Sequence, residues 1–304
     1  MTNLIKQQTF GVEIEMTGIT RKYAAHVIKE VIGTENPVVS EGGVYDTFSV
    51  RDDQNRKWKV VFDSSISDEI KVRKMEAGHS RSSYKVEFVT PVLNYDDIEL
   101  LQEIVRGFRK AGAKVNHSCG LHIHVGKDKH DARSMRNLVN ILSAKEDLIH
   151  QALKITNYRA SNWTKKLSPE MVEKLNKQKP KDTDAFSDIW YEGYGKGGHY
   201  NRSRYHGLNL HNFWYSQTIE ARYFEATLHA GKVKAYIQWF LAVSAQAITQ
   251  RSASAKKTQT TNPAYTFRTW LLRLGLNGEE FKTCRLHMLS ALEGDKAWRN
   301  SQGA

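Results

Sequence analysis

The chain is poor in the residues that lock or break a backbone. It has two cysteines, Cys119 and Cys284, and five prolines in 304 residues. Two isolated thiols argue against a disulfide scaffold and a cysteine-bound zinc site, and they fit a reducing cytoplasm. No run of about 18 apolar residues occurs, so no membrane span is expected. The opening MTNLIKQQTF lacks the charged-then-apolar design of a secretory leader, which also points to the cytoplasm. No internal repeat is present, which excludes a solenoid.

Negative charge is also short. There are 33 Asp and Glu against 45 Lys and Arg, a net charge of +12. The deficit is concentrated in residues 231–304, with 11 basic and 4 acidic residues. A basic flank of this kind suits a polyanionic partner such as nucleic acid. Neutralising Lys256, Lys257, Arg268 and Arg273 is expected to weaken such binding.

Against that scarcity, the strand-like FGVEIEMTG carries two glutamates, Glu13 and Glu15, inside an apolar run. Strand alternation turns Gly11, Glu13 and Glu15 to one face and Val12, Ile14 and Met16 to the other. Two neighbouring carboxylates on one face repel each other, and burying either alone is costly. A cation between them, or a wet face, resolves the conflict.

Further elements follow from pattern. Residues 21–31 read as a helix with Thr20 as N-cap, and Asp96 to Ala111 as an amphipathic helix ended by Gly112. TFSVRDDQNRKWKVVFDSSI reads as a hairpin, and SYKVEFVTP, KVNHSCGLHIHVG, LNLHNF and SQTIEARYFEATL as strands. A helix is expected over 132–155. The polar 156–204 stretch reads as a lid-like insertion or flexible loop with one short helix near Pro169. Two or three helices follow Lys232. Hairpins and long helices without a regular β-α beat indicate an α+β fold around a mostly antiparallel sheet.

Several strands interrupt their apolar pattern at compatible positions. Asp63 ends a hairpin strand, Glu87 sits between Val86 and Phe88, His122 and His124 share a face, and Glu220 pairs with Arg222. Each interruption alone has an ordinary reading as a solvated face or a surface ion pair. Together they describe one charged face of four carboxylates, two imidazoles and a guanidinium. Such oxygen-rich sets suit divalent cations such as Mg²⁺ or Mn²⁺, and an arginine beside them suits a phosphate.

The ordered set GVEIEM, DSSI, KVEFVTP, CGLHIHVG and RYHGLNL…TIEARYFEATL resembles the amidoligase family, within the carboxylate–amine ligases of glutamine synthetase and glutamate–cysteine ligase type. The resemblance runs from about Phe10 to Trp239. It implies a curved, mostly antiparallel sheet with flanking helices, a catalytic domain over 1–240 with 156–204 inserted, and a basic helical extension over 241–304. It also implies ATP-dependent amide formation through an acyl phosphate on a magnesium cluster, between a carboxylate and an amine.

By motif, Glu13, Glu15, Glu87, His122, Glu220 and Asp63 would be metal ligands. Arg222 would contact the γ-phosphate, His124 the substrate or nucleotide, and Arg204 and Asn209 the nucleotide. Relatives of this fold often assemble into oligomers. The rival readings are a metal-dependent nuclease or phosphodiesterase, a phosphagen-kinase-like phosphotransferase, and a non-catalytic nucleic-acid-binding protein.

Overall fold

The computed structural model describes residues 2–69, 75 and 77–299. In chain order the elements begin with α1 (Thr2–Lys6), β1 (Phe10–Met16), α2 (Arg21–Ile32), β2 (Val39–Gly42), β3 (Thr47–Arg51), β4 (Lys57–Val61), β5 (Val86–Val89) and α3 (Ile98–Lys110). They continue with β6 (Gly120–Gly126), α4 (Ala132–Leu153), α5 (Asn157–Asn162), α6 (Pro169–Gln178), α7 (Thr183–Trp190) and β7 (Leu208–Asn209). The last are α8 (His211–Tyr215), β8 (Thr218–Glu225), α9 (Ala230–Thr249), α10 (Pro263–Arg273) and α11 (Lys282–Met288). The fold is α+β, with eight strands in the order β2-β3-β4-β5-β1-β6-β8-β7.

Two compact units are present: residues 9–123 with 224–234, and residues 1–8 with 124–223 and 235–304. In the first, β1 pairs antiparallel with β5, β5 with β4, β4 with β3, and β3 with β2. The register aligns Ile14 with Phe88, Phe88 with Val60 and Val60 with Phe48. Alternation therefore gathers these apolar residues on one face, where Trp58 stacks on Phe88 and Phe88 meets the edge of Phe108 from α3. The same register sets Glu15 opposite Glu87 on the other face.

The predicted helices form for the reasons their sequences suggest. Thr20 caps α2 by accepting from the Tyr23 amide at 3.2 Å, and Gly33 closes it at φ 68°. Gly107 lets α2 and α3 approach, because a Cβ there would lie 2.9 Å from Val27 Cγ1. The strand expected from Lys114 begins only at Gly120. Asn116 folds the preceding residues into a turn, accepting from the Ser118 amide at 3.0 Å.

In the second unit the 156–204 segment is not a loop with one helix but three helices with their own buried residues. Thr156, Ser168 and Asp182 cap α5, α6 and α7, and Val172, Leu175, Phe186, Ile189 and Trp190 are buried. LNLHNF likewise yields only the two-residue β7 before turning into α8. No helix among the described residues is long and apolar enough to cross a membrane.

Gly207 is required by its neighbour. A Cβ there would lie 2.0 Å from Cε1 of Tyr223, which is fully buried on β8. Gly207→Ala is expected to destabilise the protein by about 1–3 kcal/mol or more through overpacking, measured by denaturant unfolding.

A second prediction arises at Glu146 on α4. Its side chain is fully buried, with the Leu167 amide donating at 3.1 Å and Lys257 Nζ at 3.6 Å. Burial pushes its carboxyl up to about 7. The folded state thus holds a proton that the unfolded state releases above its ordinary value of 4.5. Stability contributed by this group falls as pH rises from 4.5 towards 7. Half-buried His150 opposes the trend, because desolvation drops its value to about 4 and protonation of the unfolded state costs stability as pH falls below 6.5. The difference in unfolding free energy between wild type and Glu146→Gln isolates the glutamate, and should decline across pH 4.5–7.

Candidate active site

β1, β5 and the start of β6 present the acidic face of the first unit. Glu13, Glu87 and His122 each offer a ligand atom within 4.8 Å of the others, and so do Glu15, Asp63 and Glu87. Glu87 belongs to both triads. Directly opposed like charges weaken a strand pair, so the Glu15–Glu87 register favours a cation between them.

Hydrogen bonds orient several of these donors. Glu15 Oε2 accepts from the Gly120 amide at 2.6 Å. Asp63 Oδ1 accepts from the Ser65 amide at 2.6 Å, which leaves Oδ2. His122 Nδ1 lies 3.1 Å from Glu13 Oε2; a proton there leaves Nε2 as the ligand nitrogen. Glu15 and His122 are buried, and Glu13, Glu87 and Asp63 half-buried. Four carboxylates and one imidazole fit a hard divalent cation such as Mg²⁺ or Mn²⁺. Cys119 is no rival nucleophile: burial pushes its thiol up to about 11.

The other predicted residues lie in the second unit. Glu220 and Arg222 share one face of β8, and Arg222 Nη1 donates to Glu220 Oε1 at 2.6 Å. Asn209 and Asn212 donate to Glu220 Oε2 at 2.5 and 2.8 Å. Two amides thus converge on Oε2 while the guanidinium holds Oε1. His124 Nδ1 sits 3.0 Å from Thr218 Oγ1, which fixes the ring. Arg204 lies in a short turn, donates to the His199 carbonyl at 2.9 Å and faces the Tyr200 and Tyr205 rings. Its guanidinium braces the glycine-rich 193–200 segment.

Three residues without a sequence-based role complete this arrangement: Asn212, His211 and Tyr191. Asn209 Oδ1 accepts from the His211 amide at 2.8 Å, which turns its amide nitrogen towards Glu220. His211 Nε2 donates to the Gly198 carbonyl at 3.0 Å, and Nδ1 pairs with the Tyr191 hydroxyl at 2.6 Å. Burial lowers the imidazole's value and raises that of Tyr191 to about 12, so the phenol donates to a neutral ring. One network thus ties the 193–200 segment to the Glu220 carboxylate. Asn209 and Asn212, three apart across the β7–α8 junction, were the available signal; reading LNLHNF as a strand turned them to opposite faces.

The fold and these residues define an α+β protein that carries acidic triads able to hold a metal ion and a buried carboxylate–guanidinium pair. Residues 6–244 match the model of the family described as "Putative amidoligase enzyme", and the chain belongs to that family. No curated protein matches the chain. Among solved structures, a bifunctional glutathione synthetase from Pasteurella multocida is similar to it at a TM-score of 0.40 and 12% identity. The alignment covers 94% of this chain and 47% of that one, so the chain spans less than half of that protein's length.

Proposed function

We propose that this protein is an ATP-dependent carboxylate–amine ligase. The observation that carries the reading is the shared Glu87: two acid triads meet at one carboxylate that directly opposes Glu15. Membership of the amidoligase family supports the reaction class.

A carboxylate is a poor acyl donor because its oxygen leaves badly. In the proposed reaction a carboxylate oxygen attacks the γ-phosphorus of ATP and ADP departs, which gives an acyl phosphate. An amine then attacks the carbonyl carbon, phosphate leaves with that oxygen, and the nitrogen loses a proton. Bound Mg²⁺ or Mn²⁺ would supply charge neutralisation to the triphosphate. Glu13, Glu87 and His122 would hold one ion, and Glu15, Asp63 and Glu87 another.

Arg222 grips the transferred phosphoryl group in this reading. Glu220 orients that guanidinium and would serve as a further metal ligand, and Asn209 and Asn212 hold the carboxylate in place. His124, steadied by Thr218, contacts the substrate or nucleotide, and Arg204 and Asn209 set the nucleotide side through the 193–200 segment. We place the catalytic part within residues 1–240.

The test uses ¹⁸O-labelled carboxylates, offered as an amino-acid and dicarboxylate panel with amines, ATP and Mg²⁺. ADP release that requires both substrates, with one ¹⁸O atom appearing in inorganic phosphate, supports the acyl phosphate. ADP release without ¹⁸O transfer overturns that route. Metal-dependent DNA cleavage without ATP, with no ADP formed, replaces the ligase with a nuclease.

A further inference from the structure

We propose that the cleft between the last turns of α3 and the start of α9 is a phosphate-binding pocket, separate from the acid triads. It is a depression of 470 Å³. Arg106, Arg109 and Lys110 form one wall, and residues 228–231 form the other.

The sequence dictates the cationic wall. α3 buries Leu101, Ile104, Val105 and Phe108, so Arg106, Arg109 and Lys110 fall on its exposed face. Arg106 shares its charge with Glu103 at 2.6 Å, and both groups are exposed. Arg109 and Lys110 have no acidic partner among the described residues, and no acid lines the depression. Cations in a last turn also steady the helix macrodipole, but that role would not require them to border a concavity.

The opposite wall is the turn that leads into α9. Gln102 Nε2 donates to the Ala230 carbonyl at 3.1 Å, which fixes this turn against α3. His229 caps the helix: its carbonyl and Nδ1 accept from the Lys232 amide at 2.9 and 3.2 Å. The Ala230 and Gly231 amides find no protein acceptor among the described residues, and their side chains are too small to screen them.

Guanidinium forks and an ammonium bordering a concavity, beside a helix start whose first amides have no acceptor among the described residues, match a tetrahedral oxyanion with several acceptor oxygens. The volume has room for the phosphate of a larger molecule, either a nucleotide or a nucleic-acid strand. The net charge of +12 favours the approach of either. Without a lining carboxylate, recognition here needs no divalent metal.

The test is run in EDTA at low ionic strength, where the triads hold no cation. Pyrophosphate is titrated by calorimetry, and a labelled ten-nucleotide single strand by fluorescence anisotropy. Wild type should bind both. Arg109→Gln/Lys110→Gln should weaken each by at least about tenfold, the loss expected for a charge-assisted hydrogen bond. It should also reduce the strand's salt slope by about 1.4.

Glu87→Gln should bind both probes like wild type, which keeps this pocket's fate distinct from that of the ligase reading. Binding of the strand no tighter than pyrophosphate identifies a small phosphorylated ligand. Tighter, salt-sensitive binding identifies a polymer. Failure of wild type to bind either probe, or unchanged binding by a folded Arg109→Gln/Lys110→Gln variant, overturns the proposal.

Discussion

Glu87→Gln is expected to cut ATP-dependent turnover on the order of 10²–10³-fold while leaving the metal-free protein as stable as wild type, or more so. The two halves of this expectation share one cause. Glu87 stands opposite Glu15 and belongs to both triads, so the metal-free state carries carboxylate repulsion that an amide relieves. Adding Mn²⁺ should raise the melting temperature of wild type, because a ligand bound only by the folded state stabilises it, and should raise that of the variant far less.

Asp52 provides the contrasting case. Although burial pulls its carboxyl upward, hydrogen bonds from the Trp58 indole and Arg56 hold it below the usual range. Asp52→Asn should therefore destabilise the fold and leave the Mn²⁺ response intact. If Glu87→Gln behaves like Asp52→Asn, and wild type ignores Mn²⁺, the triads are structural and the catalytic reading falls.

Period-two alternation is a local property, which is why Glu13, Glu15, Glu87 and His122 could be placed on their strand faces from sequence. Register is not local. The Glu15–Glu87 opposition depends on β5 meeting β1 across more than seventy residues, and no pattern in either segment states that pairing. The 156–204 segment was obscured by its composition: few apolar residues spread among many lysines hide three short amphipathic helices. Its N-caps were visible in Ser168-Pro169 and in Asp182, and weighing them would have exposed the helices.

Charge counting alone also misplaced one cation. Lys257 looks available to a polyanion, yet it donates to the Ser143 carbonyl at 2.8 Å and lies 3.6 Å from buried Glu146. Neutralising it will be felt first in stability, whatever partner the basic segment meets. Arg109 and Lys110, in a stretch of ordinary overall charge, are the less encumbered pair.

Arg222→Ala is expected to lower stability by about 3–5 kcal/mol and to abolish turnover, because it strands the Glu220 carboxylate in the interior. Glu220 is fully buried, and Arg222 Nη1 lies 2.6 Å from its Oε1. The Asn209 and Asn212 amides supply hydrogen bonds but no counter-charge. Two further variants separate fold from chemistry. Arg222→Lys restores a positive charge and should recover most of the unfolding free energy, but not turnover, since an ammonium lacks the planar fork needed to hold Glu220 and a phosphate together.

Glu220→Gln/Arg222→Gln removes both charges and should be more stable than the sum of the single losses predicts, the signature of a coupled buried pair. The His211 network adds an independent readout. His211→Ala frees the Gly198 carbonyl and the Tyr191 hydroxyl, so trypsin should cut faster after Lys196 even before ATP is added. Full turnover in Arg222→Lys would mean that a single charge suffices and that the guanidinium serves only to balance Glu220.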